Sequence, residues 1–327
     1  MESLIIGVDL GATRIRAALV TPEGEIRQTA SRLTLAQEGP EAVWGRIRAA
    51  IAEVFPAQNP EAVLGIGVGA PGPLDPWRGV AIAPVNLPGW HNVPLRDMIA
   101  DAFGRPTFVN NDANVAALGE HRFGAGRGVH HLIYMTISTG IGGGIIIDDQ
   151  LLLGIHGLAG EIGHMTVEPN GPRCACGNIG CLEALAAGPA IAAWVRGEIQ
   201  KGAHSAVLDM VRDPSTITAE IVSQAAQEGD ELCRQALHRA GFYIGVHLVN
   251  LVHCFDPELI ILGGGVTRAG ELLFAPIRAT VAERVMPSFG QVRIVPAALG
   301  EHVGTLGAAA LVLSSIQPQA PRAYEPT

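Results

Sequence analysis

Residues 164–181 carry one histidine and three cysteines, His164, Cys174, Cys176 and Cys181, around a C-x-C-G-x-x-G-C core. Thiolate and imidazole are the ligands with which structural Zn²⁺ closes a tetrahedral site, and the glycines permit the knuckle turns that such a site needs. A buried histidine beside core cysteines is the alternative, and it leaves the spacing unexplained. Four protein ligands leave no open metal position, so a structural ion is expected. Glu161 and Glu183 bracket the cluster. Folding it around a metal would gather two carboxylates and one face of His164, a set able to grip ligand hydroxyls. Cys233 and Cys254 fall on helical patterns elsewhere and are expected in the core. His130, His131, His247 and His253 show no ligand-like spacing, and satisfied structural roles are expected for them.

A second group lies in VNNDANVAALGE, 109–120, where a strand gives way to a helix. Asp112 there has two readings. Its carboxylate can cap the helix, as Asp and Asn commonly do, or it can accept the proton of an attacking hydroxyl. Asn111 and Asn114 beside it offer directional hydrogen bonds to a polyhydroxylated ligand. Three glycine-rich turns complete the set. GVDLGATRIRAALV, 7–20, brings Asp9 to a hairpin turn, where small residues and the Thr13 hydroxyl could approach phosphate oxygens and Asp9 could hold a hydrated Mg²⁺; taken alone, such a turn is more often ordinary hairpin chemistry. STGIGGGI, 138–145, has a glycine content that destabilises a hairpin unless a ligand faces it. Gly263, Gly264 and Gly265 end a strand and would suit a flat base and ribose lying against backbone.

These segments need a scaffold. Strands are expected at 3–10, 14–20 and 24–33, a helix at 39–55 and a buried strand at 63–69. A loop at 70–93, a helix near 94–103, a strand at 107–110 and a helix from 113 to 122 follow. A second meander starts at 131–138, turns through TGIGGG and continues to Gly154, so the plan occurs twice. The region 188–255 is mainly helical, with 230–254 the longest run; strand 258–265, helix 270–285, strand 292–297 and a helix near 306–315 close the chain. The expected fold is α/β with two lobes. The smaller comprises 1–112 with about 304–320, the larger 113–303 with the zinc motif, and the tail 316–327 is expected to be disordered.

With 327 residues, 48% of them hydrophobic, the chain can bury a core larger than one ordinary domain. The net charge of −9 and the absence of a basic stripe argue against a dedicated nucleic-acid surface. Lys201 is the only lysine among 22 basic residues, so cationic contacts to phosphate must use arginine. Apolar stretches fall short of the ~20 residues that a membrane helix needs. Met1 leads straight into a strand-like LIIGVDL with no secretion-signal pattern, so a cytoplasmic location is expected.

Together these motifs resemble the ROK family of bacterial sugar kinases, and within it the glucokinases, over nearly the whole chain. DLGAT with Asp9 is similar to the family's first phosphate loop, NLPGW with Asn86 to its sugar loop, and NNDAN to its catalytic segment. STGIGGG is similar to the second phosphate loop, E-x-G-H to the sugar and zinc motif, and C-x-C-G-x-x-G-C-x-E, ending in Glu183, to the zinc signature. The resemblance implies an actin-like, ribonuclease H-like two-lobe ATPase fold with an interlobe cleft. It implies Mg-ATP as donor, the 6-hydroxyl of glucose as acceptor, structural Zn²⁺ and a homodimer. Asp112 would be the base. Asn86, Asn111, Asp112, Glu161, His164 and Glu183 would contact the sugar. Asp9, Gly11, Thr13, Arg14, Thr139, Gly140, Gly264 and Gly265 would contact the nucleotide and its metal. Ala12 and Arg14 depart from the family's more frequent Gly-Gly-Thr-Lys, although arginine also suits phosphate. Another hexose acceptor (an N-acetylhexosamine, mannose or fructose) and polyphosphate as donor are the nearest alternatives. A sugar-binding regulator without catalysis is the alternative of another class. Regulators in the family carry an N-terminal DNA-binding domain, whereas here the first phosphate strand starts within a few residues of Met1.

Overall fold

The computed structural model describes residues 2–316. In chain order its elements are β1 Leu4–Leu10, β2 Arg14–Val20, β3 Ile26–Leu33, α1 Pro40–Val54, β4 Val63–Ala70, β5 Leu74–Asp75, β6 Val80–Ala81 and α2 Leu95–Phe103. Then come β7 Thr107–Asn111, α3 Asp112–Phe123, β8 Leu132–Ile137, β9 Ile141–Ile147, β10 Gln150–Leu151, α4 Leu182–Ala186, α5 Gly188–Gln200 and α6 Val207–Met210. The last are α7 Ala219–Gln227, α8 Glu231–Phe255, β11 Leu259–Gly263, α9 Glu271–Arg284, β12 Arg293–Pro296 and α10 Val303–Ile316. Two five-stranded sheets run in the orders β3-β2-β1-β4-β7 and β10-β9-β8-β11-β12.

The chain forms two compact units, one of residues 2–134, 144–160 and 297–316, the other of 135–143 and 161–296. In the first, the alternation of β1 decides which helix lies on which face of the sheet. Ile6, Val8 and Leu10 join Val43, Ile47 and Ile51 of α1 in one core. Ile5 joins Leu306, Ala309 and Val312 of α10 in another. Gly7 and Gly67 lie under α10, where added Cβ atoms would come within 1.9 Å of Thr305 O and 1.8 Å of Ala308 O. Only glycine lets the helix lie directly on the sheet there. Residues 113–134 belong to this unit, whereas the sequence reading starts its larger lobe at 113. The reason is local: α3 packs on α10 through Gly119 and Gly307. The buried Glu120 carboxylate also accepts N–H bonds of 2.9–3.1 Å from Ala298 and Leu299.

In the second unit, α8 and α9 pack closely, with Gly241 against Pro276 and Gly245 against Thr280. β11, which pairs in parallel with β12, carries the chain to the glycine turn after Gly263.

Four expectations need correction. The loop at 70–93 contains the two-stranded ribbon β5–β6, too short to show periodicity. The third strand of the second meander shrinks to Gln150–Leu151. Cys254 is exposed, because it sits in the last turn of α8, while Cys233 is buried. His130 and His253 do find partners, in Asp149 and the Met286 N–H, but His247 is buried, and among the described residues neither of its ring nitrogens has a hydrogen-bond partner. The disorder expected for the tail concerns, beyond Ile316, residues outside those described. Among the described residues no helix is long and apolar enough to cross a membrane.

Candidate functional site

The four ligand atoms of His164, Cys174, Cys176 and Cys181 lie within 4.8 Å of one another. Cys176 Sγ and Cys181 Sγ are 3.7 Å apart, and Cys174 Sγ is 3.7 Å from His164 Nδ1. A tetrahedron with Zn–S bonds of ~2.3 Å has edges of about 3.8 Å, so the thiols and the imidazole fit Zn²⁺. The knuckle is shaped by backbone: Cys174 N–H donates to Asn178 O and Gly177 N–H to Cys174 O. Gly180 has φ +70°, and a Cβ there would meet Glu168 O at 1.6 Å. Burial raises the Cys174 thiol and pushes Cys181 up to about 12, while the Asn178 N–H lowers Cys176. A divalent cation reverses this balance, since a coordinated thiol is deprotonated.

His164 ends a 3-10 turn, Ile162–His164, which points Nδ1 at the thiols and leaves Nε2 4.0 Å from Glu161 Oε2. Glu183 lies in the first turn of α4, directly after Cys181, with Oε1 4.0 Å from His164 Nδ1. The structure therefore brings Glu161, His164 and Glu183 together around the knuckle, as the spacing suggests.

In the first unit the strand end at β7 shows which side chain caps α3. Asn111 is extended (φ −60°, ψ 144°) and its Oδ1 accepts from Ala113 N–H at 2.9 Å, so Asn111 is the N-cap of α3. Asp112 is the first residue of the helix and is exposed; its Oδ1 also lies 2.8 Å from the Ala113 nitrogen. A carboxylate there sits at the positive end of the helix dipole. Asn114 departs from its expected role: it is buried and its Nδ2 donates to Asn110 Oδ1 at 3.1 Å, bracing the strand end instead of facing a ligand. Asn86 is exposed in a loop anchored on either side by buried Leu87, Trp90 and Pro84.

The first glycine turn is closed by Gly11 N–H to Arg14 O at 2.9 Å and by Thr34 Oγ1 to Gly11 O at 2.7 Å, leaving Ala12, Thr13 and Arg14 exposed. Asp9 pairs at 3.2 Å with Arg16, its direct cross-strand partner, not with Arg14. Burial raises the Asp9 carboxyl, and Arg16 works against that rise. Sequence reasoning missed Arg16, although counting back across the Gly11 turn sets it opposite Asp9.

The second glycine turn opens a cavity of about 770 Å³ in the second unit. Ser138, Thr139 and Gly265 line it, with α5 and α7 as its other walls. Gly140 and Gly264 do not line it. Gly140 lies against Glu183, and Gly264 (φ +89°) against Ile137 O, 2.3 Å from where its Cβ would be. Arg196, held by Ile217 O at 2.8 Å, lines the cavity, as do Gln224 and Ser223, whose buried Oγ has no hydrogen-bond partner among the described residues. None of these three carries a motif, and only the pairing of α5 with α7 brings them together.

The model of the ROK family matches residues 5–315. The chain belongs to the ROK family. ROK relatives include the glucokinase of Thermotoga maritima, 41% identical over 95% of this chain and 98% of its own. The xylose repressor of Caldicellulosiruptor bescii is 33% identical over 95% of this chain and 78% of its own. Among solved structures, a ROK family glucokinase from Streptomyces griseus in complex with glucose and AMPPNP superposes with a TM-score of 0.80, at 35% identity over 94% of this chain and 99% of that one. The α/β fold read from the sequence is the fold of these ROK structures.

Proposed function

We propose that this ROK protein is a glucokinase, transferring the γ-phosphoryl group of ATP to the 6-hydroxyl of glucose. The observation that carries this reading is the nearly full-length likeness to glucokinases. In the first unit, Asp112 accepts the proton of the attacking hydroxyl, and Asn111 and Asn86 hydrogen-bond the sugar. With Asn111 capping α3, the exposed carboxylate is held at a strand end by backbone. Phosphoryl transfer rests mainly on positioning and charge stabilisation, so Asp112 orients the hydroxyl first and takes its proton late.

In the second unit, Glu161 and Glu183 accept from sugar hydroxyls. With Nδ1 directed at the thiols, His164 keeps Nε2 for the sugar. Thr139 and Gly265, at the 770 Å³ cavity, and the neighbouring Gly140 and Gly264 serve the nucleotide. Gly11, Thr13 and Arg14 serve its phosphates. Asp9 fits a hydrated Mg²⁺: Oδ2 pairs with Arg16, while Oδ1 carries no hydrogen bond among the described residues. Bound Mg²⁺ would neutralise phosphate charge, and Zn²⁺ at the four knuckle ligands would fix the loop that carries the sugar contacts. A homodimer is the assembly proposed, from the family resemblance.

A kinetic panel tests the reading: glucose, mannose, fructose and N-acetylhexosamines with ATP, and glucose with polyphosphate. Glucose with ATP is expected to give the highest kcat/KM, by about tenfold or more over the other hexoses. A higher value for another hexose or for polyphosphate would replace the substrate assignment. Tight sugar binding without turnover would make the chain a regulator.

A further inference from the structure

Glu183 faces two ways. Oε1 lies 3.9 Å from Cys174 Sγ and 4.0 Å from His164 Nδ1, beside the metal ligands. Oε2 accepts the backbone N–H of Ile141 at 2.9 Å, and a Cβ on Gly140 would lie 2.6 Å from that oxygen. One carboxylate thus spans from the knuckle to the second glycine turn. The same turn is gripped twice more nearby. A Cβ on Gly163, in the 3-10 turn ending at His164, would lie 1.9 Å from Ile141 O, and Gly188 N–H donates to Ser138 O at 2.8 Å. Ser138 and Thr139, which line the 770 Å³ cavity, lie between these fixed points.

We infer that Glu183 is a positioning residue for the phosphate donor: it sets the 138–141 turn against the metal knuckle, so that the knuckle governs nucleotide binding as well as sugar binding. Cys181, a knuckle ligand, is the residue before α4, so a ligand that shifts carries Glu183 with it. The inference rests on reading the cavity and its glycine turn as the donor site.

The test is calorimetric titration of Mg-ADP, and separately of glucose, into the sugar-free full-length protein. Wild type, Glu183→Ala, Glu183→Gln and Gly140→Ala are compared, with wild type also measured after zinc chelation. Glu183→Ala is expected to weaken nucleotide binding by about tenfold, the loss of one charge-assisted hydrogen bond. Glu183→Gln, whose amide oxygen still accepts from Ile141, should recover most of that. Gly140→Ala crowds the carboxylate and should reproduce the defect, and the Gly140→Ala/Glu183→Ala pair should be no worse than either alone. Chelation should weaken nucleotide binding in the same sense. Thermal melts of Glu183→Gln and Gly140→Ala guard against a folding defect. Nucleotide affinity unchanged in Glu183→Ala and Gly140→Ala, with only glucose binding lost, would overturn the inference. Wild-type protein that takes no nucleotide would remove the donor-site reading, and this inference with it.

Discussion

His247 shows how much a single buried group can weigh. It lies fully buried in α8, with both ring nitrogens unpartnered among the described residues, and burial pushes its pKa down to about 4. The unfolded chain binds a proton there below ~6.5, the native chain only below about 4, so native stability is full above ~6.5 and falls as pH drops toward 4. The full span is worth about 3 kcal/mol. Denaturant melts of wild type and His247→Leu at pH 7.5 and pH 5 are expected to diverge, with the variant more stable by about 1–3 kcal/mol at neutral pH and losing less on acidification. Equal pH slopes in the two proteins would show that His247 is solvated or paired. The sequence hides this, because a histidine in a helical run looks alike whether or not it finds a partner.

At the scale of elements, the knuckle is the most local device in the chain, and for that reason the most legible. All four ligands fall within 164–181, and glycine spacing alone suggests the turns. Cys176→Ser is expected to lower bound zinc from about one per chain to a small fraction by elemental analysis, and to abolish glucose binding with it. Full sugar binding in protein shown to be metal-free would remove the structural role of the ion. What the knuckle touches was not legible. The Ile141 partner of Glu183 lies 42 residues away, and no pattern marks it. Nor did the sequence point to Asn111 as the cap: Asp112 is the residue read for that role, and only the extended backbone at Asn111 shows that the cap falls one residue earlier. The cavity walls of α5 and α7 were hidden for a similar reason, as Arg196, Ser223 and Gln224 are ordinary helix residues until the helices pair.

For the molecule as a whole, a ROK chain of net charge −9 must bind a polyanionic donor through local features rather than a general field. Backbone N–H groups at glycine turns, threonine hydroxyls and a few arginines are what it offers, and the two glycine hairpins read from the sequence both fold as such. Catalysis then hinges on whether one exposed carboxylate at the start of α3 acts as a base. Steady-state phosphorylation of glucose by ATP with Asp112→Asn, beside wild type, tests this most directly. The expected result is a kcat lower by about 10²–10⁴, with KM for glucose and ATP changed only a few-fold. Turnover within a few-fold of wild type would contradict the assignment.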